Sequence, residues 1–204
     1  MARPRKSDRE YNNQIRDLII SSAEQIFASH GFTAATTRRI AARAGVNKNL
    51  IFYYFGSKEG LYQAILTKNI GPVISSLLTI LANDDPLDIK TDAIIEIYFD
   101  AFTEKAETLP RLLVRELADG APYFAEIIAG QIEDVKPLMM RIFQTDDFSF
   151  DNYLKLGGLI SVILFAFLLQ PVRSAIARKT GVQEPQMSHI RAQLTEFIKY
   201  GINH

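Results

Sequence analysis

The chain has 204 residues, 48% hydrophobic and 23% charged, with zero formal net charge and no cysteine. That length allows one domain, or a small one joined to a larger one, and buries enough surface to fold without a disulfide or metal staple. The absence of cysteine excludes disulfides, thiolate nucleophiles and cysteine-based zinc sites. His30, His189 and His204 are too scattered along the chain to suggest a metal cluster. The amino terminus runs straight into charge with no apolar leader, so the expected compartment is the cytoplasm. Charge is unevenly distributed: residues 1–68 carry 11 Lys/Arg against 5 Asp/Glu, and residues 69–204 carry 12 against 18. A balance of +6 followed by one of −6 suggests that the front of the chain meets a polyanion and the rest does not.

In chain order, Ile15, Leu18, Ile19, Ser22, Ile26 and Phe27 recur at helical spacing and predict a helix over 13–30, with Gly31 as its C-terminal cap. A short helix over 37–44 is capped by Thr36, has Ile40, Ala41 and Ala44 on its inner face, and ends at Gly45. Asn47 can cap a third helix over 48–54. A fourth begins after Ser57 and is expected to kink or break at Gly71-Pro72 before the apolar pattern resumes over 73–81. Further helices are expected over 87–107, 110–117, 122–143, 151–169 with continuation towards 179, and 185–200. No series of strands and no repeat interrupts this pattern. The expected fold is all-α: a basic arm over 1–13, a three-helix DNA-binding domain with a helix-turn-helix over 14–60, and a larger helical domain over 61–204.

A helix-turn-helix needs two short helices locked at a fixed angle, small residues where they touch, and polar groups on the second helix to enter the major groove. Ala41 allows close contact, Gly45 makes the turn, Val46 anchors it, and Ile51 and Phe55 face inward. The landmarks Thr37, Ile40-Ala41, Ala44-Gly45-Val46, Tyr53-Tyr54-Phe55, Ser57-Lys58-Glu59 and Leu61 resemble the DNA-binding domain of the TetR family of transcriptional regulators, specifically over residues 14–68. The resemblance implies that Thr37 meets a DNA phosphate, that Arg38 reaches a guanine edge, and that Lys48 and Lys58 contact DNA at the starts of their helices. Arg39, Asn49, Tyr53 and Tyr54 complete the candidate set with Asn47, although the two asparagines can serve only as caps and the two tyrosines only as core. Phe52 stands where the family commonly has a tyrosine, and Leu50 where a small or hydroxyl residue is frequent, so operator rules do not transfer. The Arg-Pro-Arg-Lys arm can either enter a minor groove or remain a plain tail.

The remaining two thirds resemble the family only in length and helical pattern. Leu156, Ile160, Ile163, Leu164 and Phe167 on one helix, with Ile190, Leu194 and Phe197 on the last, suggest a four-helix homodimer interface, although periodicity alone cannot separate this from an internal core. A dimer is needed on independent grounds, since one recognition helix covers only a few base pairs while a symmetric pair reads an inverted repeat in double-stranded operator DNA. The resemblance further implies a small-molecule effector pocket, for which Tyr98, Phe99, Phe102, Arg115, Phe124, Met139, Phe143 and Tyr153 are candidates. The uncharged stretch 156–172 is 17 residues, about 25 Å as a helix against roughly 30 Å of hydrocarbon, and reads as a buried helix, not a membrane span. With no phosphate-gripping glycine loop, no HExxH and no nucleophile–histidine set, neither catalysis nor a cofactor is expected. The expected function is an effector-released repressor; the alternative is a constitutive DNA-binding protein without ligand.

Overall fold

The computed structural model describes residues 6–142 and 150–202. The described chain forms eleven helices: α1 (Lys6–Ala34), α2 (Thr37–Ala44), α3 (Lys48–Phe55), α4 (Lys58–Ala82), α5 (Leu87–Glu104), α6 (Leu109–Ala118), α7 (Phe124–Ala129), α8 (Ile132–Ile142), α9 (Phe150–Leu168), α10 (Gln170–Thr180) and α11 (Met187–Ile202). The fold is all-α, as expected. It divides into two compact units, one running to Gly71 and including Glu107–Ala125, the other comprising Pro72–Ala106 and the chain from Glu126 onward. The first unit is therefore larger than the 14–60 head read from sequence, because α6 packs on α1 and the first half of α4 supplies core side chains.

In the first unit Ile19, Ile20, Ala23, Ile26 and Phe27 form the buried stripe of α1, and Ile40 of α2, Ile51 of α3, Leu61, Ile65 and Leu66 of α4, and Leu109 and Leu112 of α6 are buried with them. Residues 6–13, expected as part of an arm, are the opening turns of α1, while the Arg-Pro-Arg pair of the arm lies outside the described residues. At its other end α1 kinks at Gly31, whose φ of 76° and ψ of 171° lie in the positive-φ extended region that is essentially glycine-only, not in the left-handed helical geometry of the expected cap. Helical geometry then resumes for one more turn to Ala34. The orphan carbonyls left around that break are satisfied from other helices: Arg115 of α6 donates through Nε to the Ala28 carbonyl (3.2 Å) and through Nη2 to that of Ser29 (3.0 Å).

A buried carboxylate organises the α6–α7 connection. Glu116, only 2% exposed, accepts the backbone N–H groups of Tyr123 (2.6 Å) and Phe124 (2.9 Å), which caps the start of α7. The chain reaches that cap through positive φ at Gly120 and Ala121. Tyr123 also meets the Tyr62 ring edge-on at 5.4 Å, and Tyr62 in turn meets Phe27 at 4.9 Å, so the carboxylate and an aromatic cluster stitch α1, α4 and α6 together. Burial and the nearby Glu116 carboxylate push the Tyr62 hydroxyl well above its usual pKa.

The second unit is built on α5, α9 and α11. Ile94, Ile95, Phe99 and Phe102 of α5 and Ile163 and Leu164 of α9 are buried, with Ile198 of α11. Lys199 of α11 pairs with Asp92 of α5 at 2.6 Å. Lys90 donates to the carbonyls of Leu81 (3.2 Å), in the last turn of α4, and of Asn83 (2.8 Å), just beyond it. Two expectations at prolines fall out differently. α4 runs through Pro72 as one helix where a kink or break was expected, whereas α9 and α10 are separate where continuation was expected, with an axis change of 48° and Pro171 in the first turn of the new helix. The expected helix over 122–143 is likewise two, α7 and α8. By length and composition α4, and α9 with α10 as a bent pair, are apolar enough to cross a membrane; the core helices of soluble proteins meet the same measure, and Leu61, Ile65, Ile163 and Leu164 are buried inside their units.

Candidate nucleic-acid interface

Helices α2 and α3 are eight residues each, too short to persist alone, so caps and burial must hold them. The Thr36 hydroxyl accepts the Arg39 N–H at 3.2 Å, and the Asn47 side-chain oxygen accepts the Asn49 N–H at 2.9 Å. Each such cap contributes about 1 kcal/mol. Between them Gly45 adopts φ 64°, and Val46 donates its N–H to the Ala41 carbonyl at 3.0 Å, fixing the turn. A Cβ on Gly45 would meet nothing within 4 Å, so the backbone conformation, and not lack of space, calls for glycine here. Ile40, Ala41, Ala44 and Ile51 are buried beneath the pair. This leaves the outer positions of both helices available to a partner.

The candidate residues separate into two groups. Arg38, Lys48, Asn49 and Tyr53 are exposed around the start of α2 and along α3, with Tyr53 76% exposed and Thr37 half-buried in the first turn of α2. Lys48 holds its ammonium 5.6 Å from the centroid of Phe52, itself exposed, which orients the cation over the outer face of α3. The second group is engaged within the unit. Asn47 spends its side-chain oxygen on the cap, and the Tyr54 hydroxyl donates to Asn12 Oδ1 at 2.8 Å, tying α3 to α1. Arg39 stands apart from both groups: it is exposed and lines a cleft beside α1 and α6.

Lys58 is the least expected placement. Its ammonium donates to the carbonyls of Phe32 (3.0 Å) and Ala35 (3.1 Å) and lies 4.2 Å from the Phe32 ring centroid. It therefore closes the C-terminal end of α1, where the helix macrodipole favours a cation. An ammonium has three N–H donors, so one remains for a phosphate. Next to it, the Ser57 hydroxyl accepts the Gly60 N–H at 3.1 Å and caps α4. Glu59 in that first turn is held below the usual carboxylate pKa by hydrogen bonding to its own backbone and to Ser57. The Lys58 and Tyr54 contacts span 26 and 42 residues of chain, and no local spacing rule announces them.

The described members of the candidate effector set are divided between the two units. Phe99 and Phe102 are buried in the second unit, where each packs on Phe167, at 5.6 and 5.4 Å between centroids, and Tyr98 is half-buried beside Phe102. Arg115 and Phe124 belong to the first unit, and Arg115 is committed to the carbonyls of α1. The side chains of Met139 and Tyr153, and all of Phe143, lie outside the described residues. The candidate interface set is divided too. Ile163 and Leu164 (6% exposed) are core of their own protomer, Phe167 packs on α5, and Ile160, Ile190 and Leu194 are half-buried. Phe197 is 64% exposed, and the Leu156 side chain lies outside the described residues. Among the described residues of the second unit the exposed large apolar side chains are Ile89, Phe165, Leu169, Val172, Ile176, Val182, Phe197 and Tyr200, of which only Phe197 belongs to the candidate set.

Comparison with known proteins gives a consistent result. Residues 19–65 match the family model described as bacterial regulatory proteins, tetR family. The chain is 32% identical over 188 residues to the HTH-type transcriptional repressor Rv3405c of Mycobacterium tuberculosis, covering 91% of this chain and 87% of that protein. Other matches are partial: the chain spans about half the length of the transcriptional activator FasR of Mycolicibacterium smegmatis (29% identity, 44% of that protein) and of the regulator RutR of Escherichia coli (31%, 53%). Among solved structures, the fatty acid degradation regulator FadR of Bacillus halodurans superposes with a TM-score of 0.67 at 19% identity, covering 90% of this chain and 93% of that one. A transcriptional regulator of Streptomyces coelicolor gives 0.65 at 24%, covering 91% and 96%. At these identities the superpositions speak to the fold.

Proposed function

We propose that this chain, which belongs to the TetR family of bacterial regulatory proteins, binds an inverted repeat in double-stranded DNA as a homodimer and is released from it by a small-molecule effector. The family is one of regulators, not enzymes. The observation that carries the reading is the exposed polar group Arg38, Lys48, Asn49 and Tyr53 on a pair of short helices whose caps and turn are all satisfied internally. Those side chains are spared for DNA, with Arg38 able to make a bidentate contact to guanine and Lys48 and Tyr53 to reach phosphates. Thr37 at the start of α2 and the remaining donor of Lys58 add backbone contacts. Such a regulator works in the cytoplasm, beside the chromosome.

Dimerisation is supported by the exposed apolar side chains of the second unit. Phe165, Ile176 and Phe197 are each more than half exposed, an arrangement that stands to gain from burial against a second copy. A repressor role is supported by the similarity to Rv3405c over most of both chains. The effector reading draws on relatives such as SmeT, whose fold this chain shares at a TM-score of 0.55 and which has been solved as a complex with triclosan. The packing of Phe99 and Phe102 on Phe167 favours a second reading, a constitutive regulator with a filled core.

The deciding experiment is selection of bound DNA from a random pool with the full-length chain. The expected result is a two-fold symmetric site with half-sites about one helical turn or more apart; the absence of any enriched sequence would defeat the proposal. Repeating the binding assay with small molecules that raise the thermal midpoint separates the two readings. An effector must change operator affinity, and operator must change effector affinity by the same factor. Binders that leave operator affinity unaltered would favour the constitutive regulator.

A further inference from the structure

A cleft of about 330 Å³ lies within the first unit, between α1, α2 and the start of α6. Arg39 and Arg43 enter it from α2 one turn apart, and Arg111 enters from α6. His30 and Gln25 line it from α1, and Glu107 precedes α6 on its rim. Three guanidinium groups against one carboxylate leave a surplus of two positive charges, with His30 counted neutral. Arg43 is held by a hydrogen bond to the Gln25 side-chain oxygen, a neutral partner that orients the guanidinium without cancelling its charge. Among the described residues none of the three arginines makes an ion pair. Like charges at i and i+4 on one helix repel, so α2 carries this pair at a cost to its own stability.

We infer that this cleft is a binding site for a small organic dianion, a phosphomonoester in chemical class. Guanidinium groups match phosphate oxygens through paired, charge-assisted hydrogen bonds, and three arginines line this one cleft from two helices. The volume falls at the low end of ligand pockets and exceeds what a bare phosphate fills. Glu107 at the rim accepts a hydrogen bond from a hydroxyl or amine elsewhere on the ligand. The site differs from the aromatic set of α5 in both unit and chemistry, and it places a ligand on the helix that leads into the DNA-reading turn. Arg39 is thereby assigned to the cleft instead of to DNA.

Isothermal titration of the full-length chain with inorganic phosphate and with glycerol 2-phosphate tests the assignment without reference to operator binding. One saturable site per chain is expected, tighter for glycerol 2-phosphate. Arg39→Gln and Arg111→Gln should each weaken it at least about tenfold, the loss of one charged hydrogen-bonding partner. Lys136→Gln, an exposed change on α8, should bind as the parent does. Glu107→Gln should tighten inorganic phosphate, because it removes the one opposing charge of the cleft. Circular dichroism verifies that each variant is folded. No saturable binding, or binding indifferent to both arginines, would overturn the proposal. So would the alternative source of phosphate: if no small anion saturates the cleft while Arg111→Gln lowers the slope of operator affinity against salt by about one per chain, the arginines serve the DNA backbone.

Discussion

Replacing Lys58 by methionine keeps an apolar stem of similar length and removes only the ammonium. The carbonyls of Phe32 and Ala35 then lose charged donors at 3.0 and 3.1 Å, and the Phe32 ring loses a cation at 4.2 Å. Hydrogen bonds to charged groups contribute about 1.5–3 kcal/mol each, and a cation over a ring about 0.5–2 kcal/mol. Lys58 is only part-buried, so water can replace some of what is lost, and a net cost of about 2 kcal/mol is expected. For a chain of this size that corresponds to a fall of roughly 4–8 °C in thermal midpoint. Calorimetry should be run at one fixed protein concentration, since dimerisation contributes to the apparent stability. Lys58→Arg should recover part of the loss, because the charge returns in a wider, planar group. An unchanged midpoint for Lys58→Met would refute the clamp on α1. Operator binding supplies a second readout: if the third ammonium donor serves a phosphate, affinity should fall evenly across sequences and its salt slope should decrease by about one per chain. A loss of affinity at unaltered slope would restrict Lys58 to holding the head together.

Arg38→Ala should cost roughly 1–3 kcal/mol per half-site and relax preference at one base pair, read by selection from a random pool; a uniform loss would reassign Arg38 to the backbone. Phe165→Glu with Phe197→Glu should give a folded monomer by light scattering, whereas Leu164→Glu should fail to fold, because Leu164 is core and the other two are surface. If the double variant remains dimeric, the interface lies elsewhere. The Tyr62 hydroxyl titrates higher in the folded chain than in the unfolded one, so its contribution is complete below the unfolded pKa of about 10 and is lost as the pH rises above it. Unfolding midpoints between pH 8 and 11 should therefore fall more steeply for the parent than for Tyr62→Phe, and parallel curves would contradict the assignment.

The DNA-reading pair was legible in the sequence because its determinants are local. Thr36, Gly45 and Asn47 each act within a few residues of themselves: a hydroxyl three positions before the amide it caps, a left-handed glycine at the end of the helix it stops, and an amide oxygen capping two residues on. The helix bounds at α2 and α3 follow directly. What holds that pair in place was not legible, since its ties cross long stretches of chain. Arg115 reaches the carbonyls of Ala28 and Ser29 from 87 and 86 residues away, and Thr108 reaches Glu24 from 84. A sequence ending its DNA-binding head at residue 60 contains no signal that α6 belongs to it.

The second unit marks a different boundary on inference from sequence. A helix as apolar as α9 carries two kinds of hydrophobic position, and period 3.6 assigns residues to faces without saying what each face meets. Leu164 and Phe165 are adjacent, equally apolar, and opposite in fate: 6% and 59% exposed. Part of the expected interface stripe on α9 is spent inside the protomer: Ile163 and Leu164 are buried, and Phe167 packs on α5. An interface is built from what remains after folding. The remainder becomes visible only once α5 is seen against α9, with Phe99 and Phe102 packed on Phe167 and Lys199 tied to Asp92. The same order of claims applies to the arginines of α2. Arg38 and Arg39 are neighbours in sequence and both are exposed, but only Arg39 lines the cleft beside α1 and α6, a difference that no spacing rule announces.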